Sequence, residues 1–214
     1  MRWFIDFDDT LASGPITWAL DYAFPQMIQD HRLECDAERF AQAVLHAQER
    51  ANLDGDAQAI LDELFDTMRW PHSLQSELEQ AIYQNYQPAL FDDALVFLER
   101  LRAAGQPIYI ASNNQHARHW ASHLGIAHYF HAIFTPATCP PKPHRGFWDH
   151  ILTVLPDLDA SAACFIGDDP WSDGVFAEVL GVECWIIDRA SRYQPLHNRR
   201  PYRWVRSLRD IAIP

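Results

Sequence analysis

The sequence predicts an α/β fold: a parallel sheet covered by helices on both faces, interrupted near its start by an inserted set of helices. Three observations carry that expectation. After Pro88, short apolar runs alternate with helical stretches, the pattern of parallel strands joined by helical crossovers. A separate apolar run opens the chain at Trp3–Phe7, and the long interval between the two regions reads only as helix.

Trp3–Phe7 ends in acidic residues and Thr10, as a buried strand does where it opens into a polar loop. From Gly14 to about Gln87, helices are expected near Thr17–Gln29, Ala37–Ala51, Asp56–Met68 and Gln75–Tyr86. Breaks fall at Asn52-Leu53-Asp54-Gly55 and Trp70-Pro71-His72. Four successive helices imply a bundle of their own, so residues 1–13 and 88–214 are expected to form the sheet domain and residues 14–87 the insertion. Within that insertion Trp18, Tyr22, Trp70 and Tyr83 are read as core aromatics rather than a stacking surface. Asp92–Ala104 reads as a helix stopped by Gly105, Pro107–Ala111 as a strand, and Gln115–Leu124 as a helix stopped by Gly125. Ala132–Phe134, Ala163–Ile166 and Glu183–Ile187 are the remaining strands, with helices over Phe147–Leu155 and Asp173–Leu180.

With 48% hydrophobic and 21% charged residues among 214, the chain has apolar material for one large core or two unequal ones, and the composition argues against disorder. The formal charge of −12 sets the long-range field against a nucleic-acid backbone or an anionic membrane. A small anionic substrate would need local cations or a metal ion. Cys35, Cys139, Cys164 and Cys184 lie far apart with no C-x-x-C pair and read as free thiols. No apolar stretch approaches the ~20 residues of a membrane span. Met1-Arg2-Trp3-Phe4-Ile5 lacks the pattern of a secretory signal, so a cytoplasmic enzyme is expected.

In an open parallel sheet, ligands bind beyond the carboxyl ends of the strands. Four such stations carry polar groups: Asp6-Phe7-Asp8-Asp9-Thr10, Ser112-Asn113-Asn114, the region of Lys142, and Gly167-Asp168-Asp169-Pro170-Trp171-Ser172-Asp173. Asp6 and Asp8 are two residues apart, which in extended chain puts both carboxylates on one side. At ~4 Å and an effective dielectric of about 20 they repel by roughly 4 kcal/mol, so the pair calls for a cation or a shared proton. Asp168, Asp169 and Asp173 add a second oxygen-rich cluster of the kind magnesium favours; a helix cap is the competing reading of Asp173. Ser112, between a strand and a helix, can hold an anion's oxygens. Lys142 stands in the stiff run Cys139-Pro140-Pro141-Lys142-Pro143 as a fixed point charge, where a solvated loop lysine is the ordinary alternative.

In this order the four stations resemble the motifs of the haloacid dehalogenase-like (HAD) hydrolase superfamily, and the likeness covers nearly the whole chain. D-x-D-x-T falls on Asp6, Asp8 and Thr10, the Ser or Thr closing a strand on Ser112, the lysine on Lys142, and G-D-x-x-x-x-D on Gly167, Asp168 and Asp173. Asp9 stands where glycine is commoner, and Asp168-Asp169 is a doublet of which Asp168 matches the motif. The resemblance implies a Rossmann-like core with an α-helical C1 cap, the core resuming at Pro88-Ala89-Leu90-Phe91-Asp92. It implies a Mg2+-dependent phosphatase in which Asp6 is the nucleophile and Asp8 the general acid/base. Metal ligands would be Asp6, the Asp8 backbone carbonyl and Asp168, with Asp173 and Asp169 behind them. Ser112, Asn113 and Lys142 would hold the phosphoryl group.

His116, His119 and His123 could suggest a zinc site, but Ala117, Trp120, Ala121 and Leu124 form the apolar stripe, which leaves the histidines toward solvent. Arg199, Arg200, Arg203, Arg206 and Arg209 read as a solvated tail. A phosphomutase of the same fold and a non-catalytic binding module are the competing functions. Dehalogenation is disfavoured, because a halide leaves without acid help and Asp8 would be idle. The expected partner is a small phosphorylated metabolite, with no nucleic acid and no membrane; the oligomeric state is left open.

Overall fold

A computed structural model of the protein describes residues 1–54, 59–137 and 139–214. The chain divides into two compact units, residues 1–13 with 88–214 and residues 14–87.

The first unit is built on six strands: β1 (Arg2–Ile5), β2 (Ile108–Ala111), β3 (Ala132–Phe134), β4 (Ala163–Gly167), β5 (Glu183–Ile187) and β6 (Arg203–Val205). All neighbours pair in parallel, in the order β3-β2-β1-β4-β5-β6. Parallel strands are buried on both faces, which is why these segments are continuous apolar runs rather than alternating ones. Trp3, Ile5, Ile110 and Ile166 face α6 (Ala94–Ala103) and α7 (Ala117–His123), whose Phe97, Leu98, Leu101, Ala117 and Ala121 join the same core. Phe4, Tyr109, Phe165 and Ile186 face α8 (Arg145–Val154) and α9 (Val175–Leu180) through Phe147, Trp148, Ile151 and Phe176. Phe4 stacks on Tyr109 at 4.9 Å and on Phe165 at 5.0 Å, and these three residues are register partners across β2, β1 and β4. The stack therefore resists a slip of the three strands against one another.

The arginine-rich end of the chain corrects an expectation, because it forms β6, the edge strand beside β5, and not a tail. Its arginines do reach solvent, as charges on edge strands do, but Tyr202 and Leu208 between them and Ile211 just beyond are buried. Arg203 pairs with Glu183 at 3.2 Å and lies over the Trp185 ring. Three residues among so many charges carry too little apolar signal to be read as a strand. The opening strand also ends earlier, at Ile5. The start of the helix read from Asp173 is instead a wide turn, Pro170–Gly174, ahead of α9.

Residues 14–87 contain α1 (Pro15–Trp18), a wide turn at Ala19–Ala23, α2 (Phe24–His31), α3 (Ala37–Asp54), α4 (Ala59–Met68) and α5 (Gln75–Asn85). Asn52, Leu53 and Asp54, read as a break, continue α3; Gly55 and the expected helix start at Asp56 lie outside the described residues. Phe24, Met27, Val44, Leu64, Phe65, Trp70 and Leu78 form the core of this unit. Of the four aromatics expected there, Trp70 is buried and Trp18 half-buried, whereas Tyr22 and Tyr83 are exposed. No helix among the described residues is long and apolar enough to cross a membrane. All four cysteines are free, with Cys164 and Cys184 buried.

One buried carboxylate ties the ends of the sheet domain together. Asp93 accepts from both Arg189 terminal nitrogens at 2.8 and 2.9 Å, from Ser207 Oγ at 2.6 Å and from the Leu208 N–H at 2.9 Å. Arg189 also donates to the Thr10 carbonyl at 2.9 Å. Burial opposes the charge, but the Arg189 guanidinium, the Ser207 hydroxyl and the Leu208 amide together hold the carboxyl below its usual range. Asp93→Asn should therefore lower unfolding free energy in urea at pH 7 by about 3 kcal/mol, the low end for breaking a buried pair because Arg189 keeps some access to water. Since the folded-state value is depressed, that difference should be full above the unfolded carboxyl's ~3.9 and shrink as pH falls below it. A constant gap down to pH 2 would count against the assignment.

Candidate active site

Asp6 follows β1 directly, and its N–H still bonds the Ile166 carbonyl at 2.8 Å, so strand pairing sets where its side chain begins. The chain then turns: the Leu11 and Ala12 N–H groups both donate to the Phe7 carbonyl, and Asp9 takes a left-handed φ of 51°. Glycine reaches that region freely and aspartate tolerates it, which is how Asp9 can occupy a position where glycine is commoner. Asp168 follows β4, the neighbour of β1. In the order β3-β2-β1-β4-β5-β6 the chain builds outward to one side of β1 and then to the other, so the crevice at the β1 and β4 ends is the switch point where such sheets bind ligands.

Oxygen atoms of Asp6, Asp168 and Asp173 all lie within 4.8 Å of one another. Lys142, on the loop before α8 and only 2% exposed, donates to Asp6 Oδ1 at 3.0 Å and to Asp173. Asp173 is thus a partner of Lys142 and not a helix cap; the cap of the Pro170–Gly174 turn is Asp169, whose Oδ1 accepts from the Trp171 and Ser172 N–H groups. Gly167 is required by this packing, since a Cβ there would lie 2.0 Å from Asp173 Oδ2.

Three carboxylates facing one ammonium leave an excess of negative charge, and the pKa directions register it. Burial, then Asp9 and Asp6, pushes Asp168 well above the usual carboxylate range. Burial raises Asp173 to about 7 against the pull of Lys142. Burial alone would lower Lys142, but the Asp173 and Asp6 charges win and raise it, so it stays an ammonium. Burial, then Asp6, raises Asp8 to about 8, with Asn114 acting the other way. An all-oxygen donor set short of positive charge fits a magnesium ion, which is commonly held by one or two carboxylates.

Ser112 is buried at the end of β2, its Oγ accepting the Asn114 N–H at 3.2 Å. The Asn113 side chain does something the sequence did not suggest: Oδ1 accepts the Lys142 N–H at 2.8 Å and Nδ2 donates to the Lys142 carbonyl at 2.9 Å. Nδ2 also reaches Ser172 Oγ at 3.1 Å. Asn113, read from the sequence as a phosphoryl contact, thus grips the lysine's backbone with its side chain, while its neighbour Asn114, left without a role by sequence reasoning, bonds Asp8. Two adjacent asparagines carry no spacing signal that would separate these partners. His116, His119 and His123 stand exposed on or beside α7, apart from this cluster.

A family model of haloacid dehalogenase-like hydrolases matches residues 4–181. Among solved structures, the chain resembles YfnB of Bacillus subtilis, described as a HAD-hydrolase bound to magnesium, with TM-score 0.72 and 17% identity over 98% of this chain and 95% of that one. It resembles a HAD phosphatase from Thermococcus onnurineus with TM-score 0.61 and 19% identity over 98% and 94% of the two chains. A dehalogenase is similar too, with TM-score 0.68 and 18% identity over 98% and 94%. These likenesses concern the fold. No protein of curated function matches the sequence.

Gly167→Ala tests the packing of the cluster. The added methyl displaces Asp173 from Lys142, so urea unfolding should show a loss of about 3 kcal/mol; wild-type stability would mean that the carboxylate is not seated as described.

Proposed function

Because the chain belongs to the haloacid dehalogenase-like hydrolase family, we propose that it is a magnesium-dependent phosphatase acting on a small phosphate monoester. The observation that carries this reading is the convergence of Asp6, Asp168, Asp173 and Lys142 at one strand-end crevice. The Asp6 carboxylate attacks phosphorus, its new O–P bond forming as the ester P–O bond breaks, while Asp8 gives its proton to the departing oxygen. In the second half, Asp8 takes a proton from the water that attacks the aspartyl-phosphate, which releases inorganic phosphate and restores Asp6. Lys142 neutralises the transferring group. Ser112, whose oxygen already accepts the Asn114 N–H, keeps its hydroxyl proton for a phosphoryl oxygen, with the Asn113 backbone N–H beside it.

Magnesium would be held by Asp6, the Asp8 carbonyl and Asp168, and when bound it supplies the positive charge that lets carboxylates and a phosphate dianion share one site. Asp173 orients Lys142, and Asp169 holds the turn that carries Asp173. Residues 14–87 serve as a C1 helical cap that selects the ester. The enzyme works in the cytoplasm on a small phosphorylated metabolite.

Phosphate release from p-nitrophenyl phosphate should require magnesium, stop on chelation and return when the ion is restored. Asp6→Asn should lower kcat by about 10³-fold or more. A variant at this position that turns over like wild type, or halide release from a 2-haloacid by an enzyme that frees no phosphate from p-nitrophenyl phosphate, would defeat the proposal. With a hexose phosphate as substrate, recovery of its isomer in place of phosphate would point to the mutase.

A further inference from the structure

Asn114 lies two residues beyond Ser112, and its side-chain amide is engaged at both ends. Oδ1 accepts the His116 N–H at 2.8 Å, just ahead of α7. With the oxygen committed there, the NH2 end must face the other way, so the bonds themselves set the amide's orientation. It faces Asp8: Nδ2 is 2.9 Å from one carboxylate oxygen and 3.2 Å from the other. The turn after β1 fixes the Asp8 backbone, but the last torsion of an aspartate has a broad, soft potential. A donor reaching both oxygens removes that freedom.

We infer that Asn114 is a positioning residue for Asp8, fixing the plane of its carboxyl group so that its proton meets the departing oxygen. This rests on the phosphatase reading above. In the step concerned, the bond from Asp6 to phosphorus forms, the ester P–O bond breaks, and the proton passes from Asp8 to the oxygen that leaves. The help matters in proportion to the basicity of that oxygen. Phenolate, with a conjugate acid near 10 like tyrosine, needs the proton, whereas p-nitrophenolate departs far more easily without it. The competing role is structural, a cap that orders the start of α7. Asn114→Ser separates the two, because serine keeps a neutral oxygen for the His116 N–H but is too short to span to Asp8.

The experiment compares kcat/KM for phenyl phosphate and p-nitrophenyl phosphate, near-isosteric esters whose binding differences cancel between wild type and variant. This parameter reports only steps through departure of the leaving group, so hydrolysis of the aspartyl-phosphate does not enter. For Asn114→Ser and Asn114→Ala, we expect phenyl phosphate to lose about 30-fold and p-nitrophenyl phosphate less than about threefold. Melting temperatures should stay near wild type for the serine variant, and Asp8→Asn should show the same selectivity more steeply. Equal losses on both esters, or no loss in Asn114→Ser, overturn the assignment while leaving the phosphatase reading intact. A wild-type enzyme that releases phosphate from neither ester overturns both.

Discussion

A lysine ammonium buried between two buried carboxylates organises everything around it. Taking Lys142, Asp6 and Asp173 out of water costs several kcal/mol per ion, recovered only if geometry is held closely. Much of the surrounding structure supplies that constraint. Asn113 grips both polar groups of the lysine's own peptide, Ser172 supports Asn113, and Asp169 caps the turn that carries Ser172 and Asp173. Gly167 leaves the space in which Asp173 lies. The cluster is thereby preorganised, and its oxygen donors and uncancelled negative charge fit a divalent cation.

The sheet delivers these groups to one place because its strands are parallel and their carboxyl ends share one edge. Asp6 and Asp168 follow adjacent strands, and Ser112 follows the strand on the other side of β1. A shift of one residue between β1 and β4 would carry the two acids apart and turn every side chain to the other face. The Tyr109–Phe4–Phe165 stack and the isoleucines on the opposite face resist that shift. Farther along the same edge, Asp93 and Arg189 join the start of α6, the end of β5 and the loop after β6, and Arg189 reaches the Thr10 carbonyl. A structural ion pair thus borders the loop that bears Asp8.

Five of the six strands were legible because each rests on local pattern. Continuous apolar runs, glycine stops and a switch from helical to alternating signals depend only on neighbours in sequence. The clustering of the acidic motifs was legible for the same reason, since aspartates directly after apolar runs stand where parallel strands end. β6 was hidden because an edge strand is specified mainly by its one neighbour, and its arginines outweighed Tyr202, Trp204 and Leu208. Tyr22 and Tyr83 were misjudged because an amphipathic pattern does not say how far a bundle's surface extends around each helix.

By itself, then, the sequence determined the layer architecture and the polar stations at the strand ends. Only the tertiary structure decided which partner each group takes. It assigned Asp173 to Lys142, and gave the Lys142 backbone to Asn113 and the Asp8 carboxylate to Asn114. The physical reason is one of range: periodicity and propensity act over a few residues, whereas a hydrogen bond is fixed by tenths of an ångström between atoms separated by tens to more than a hundred positions along the chain.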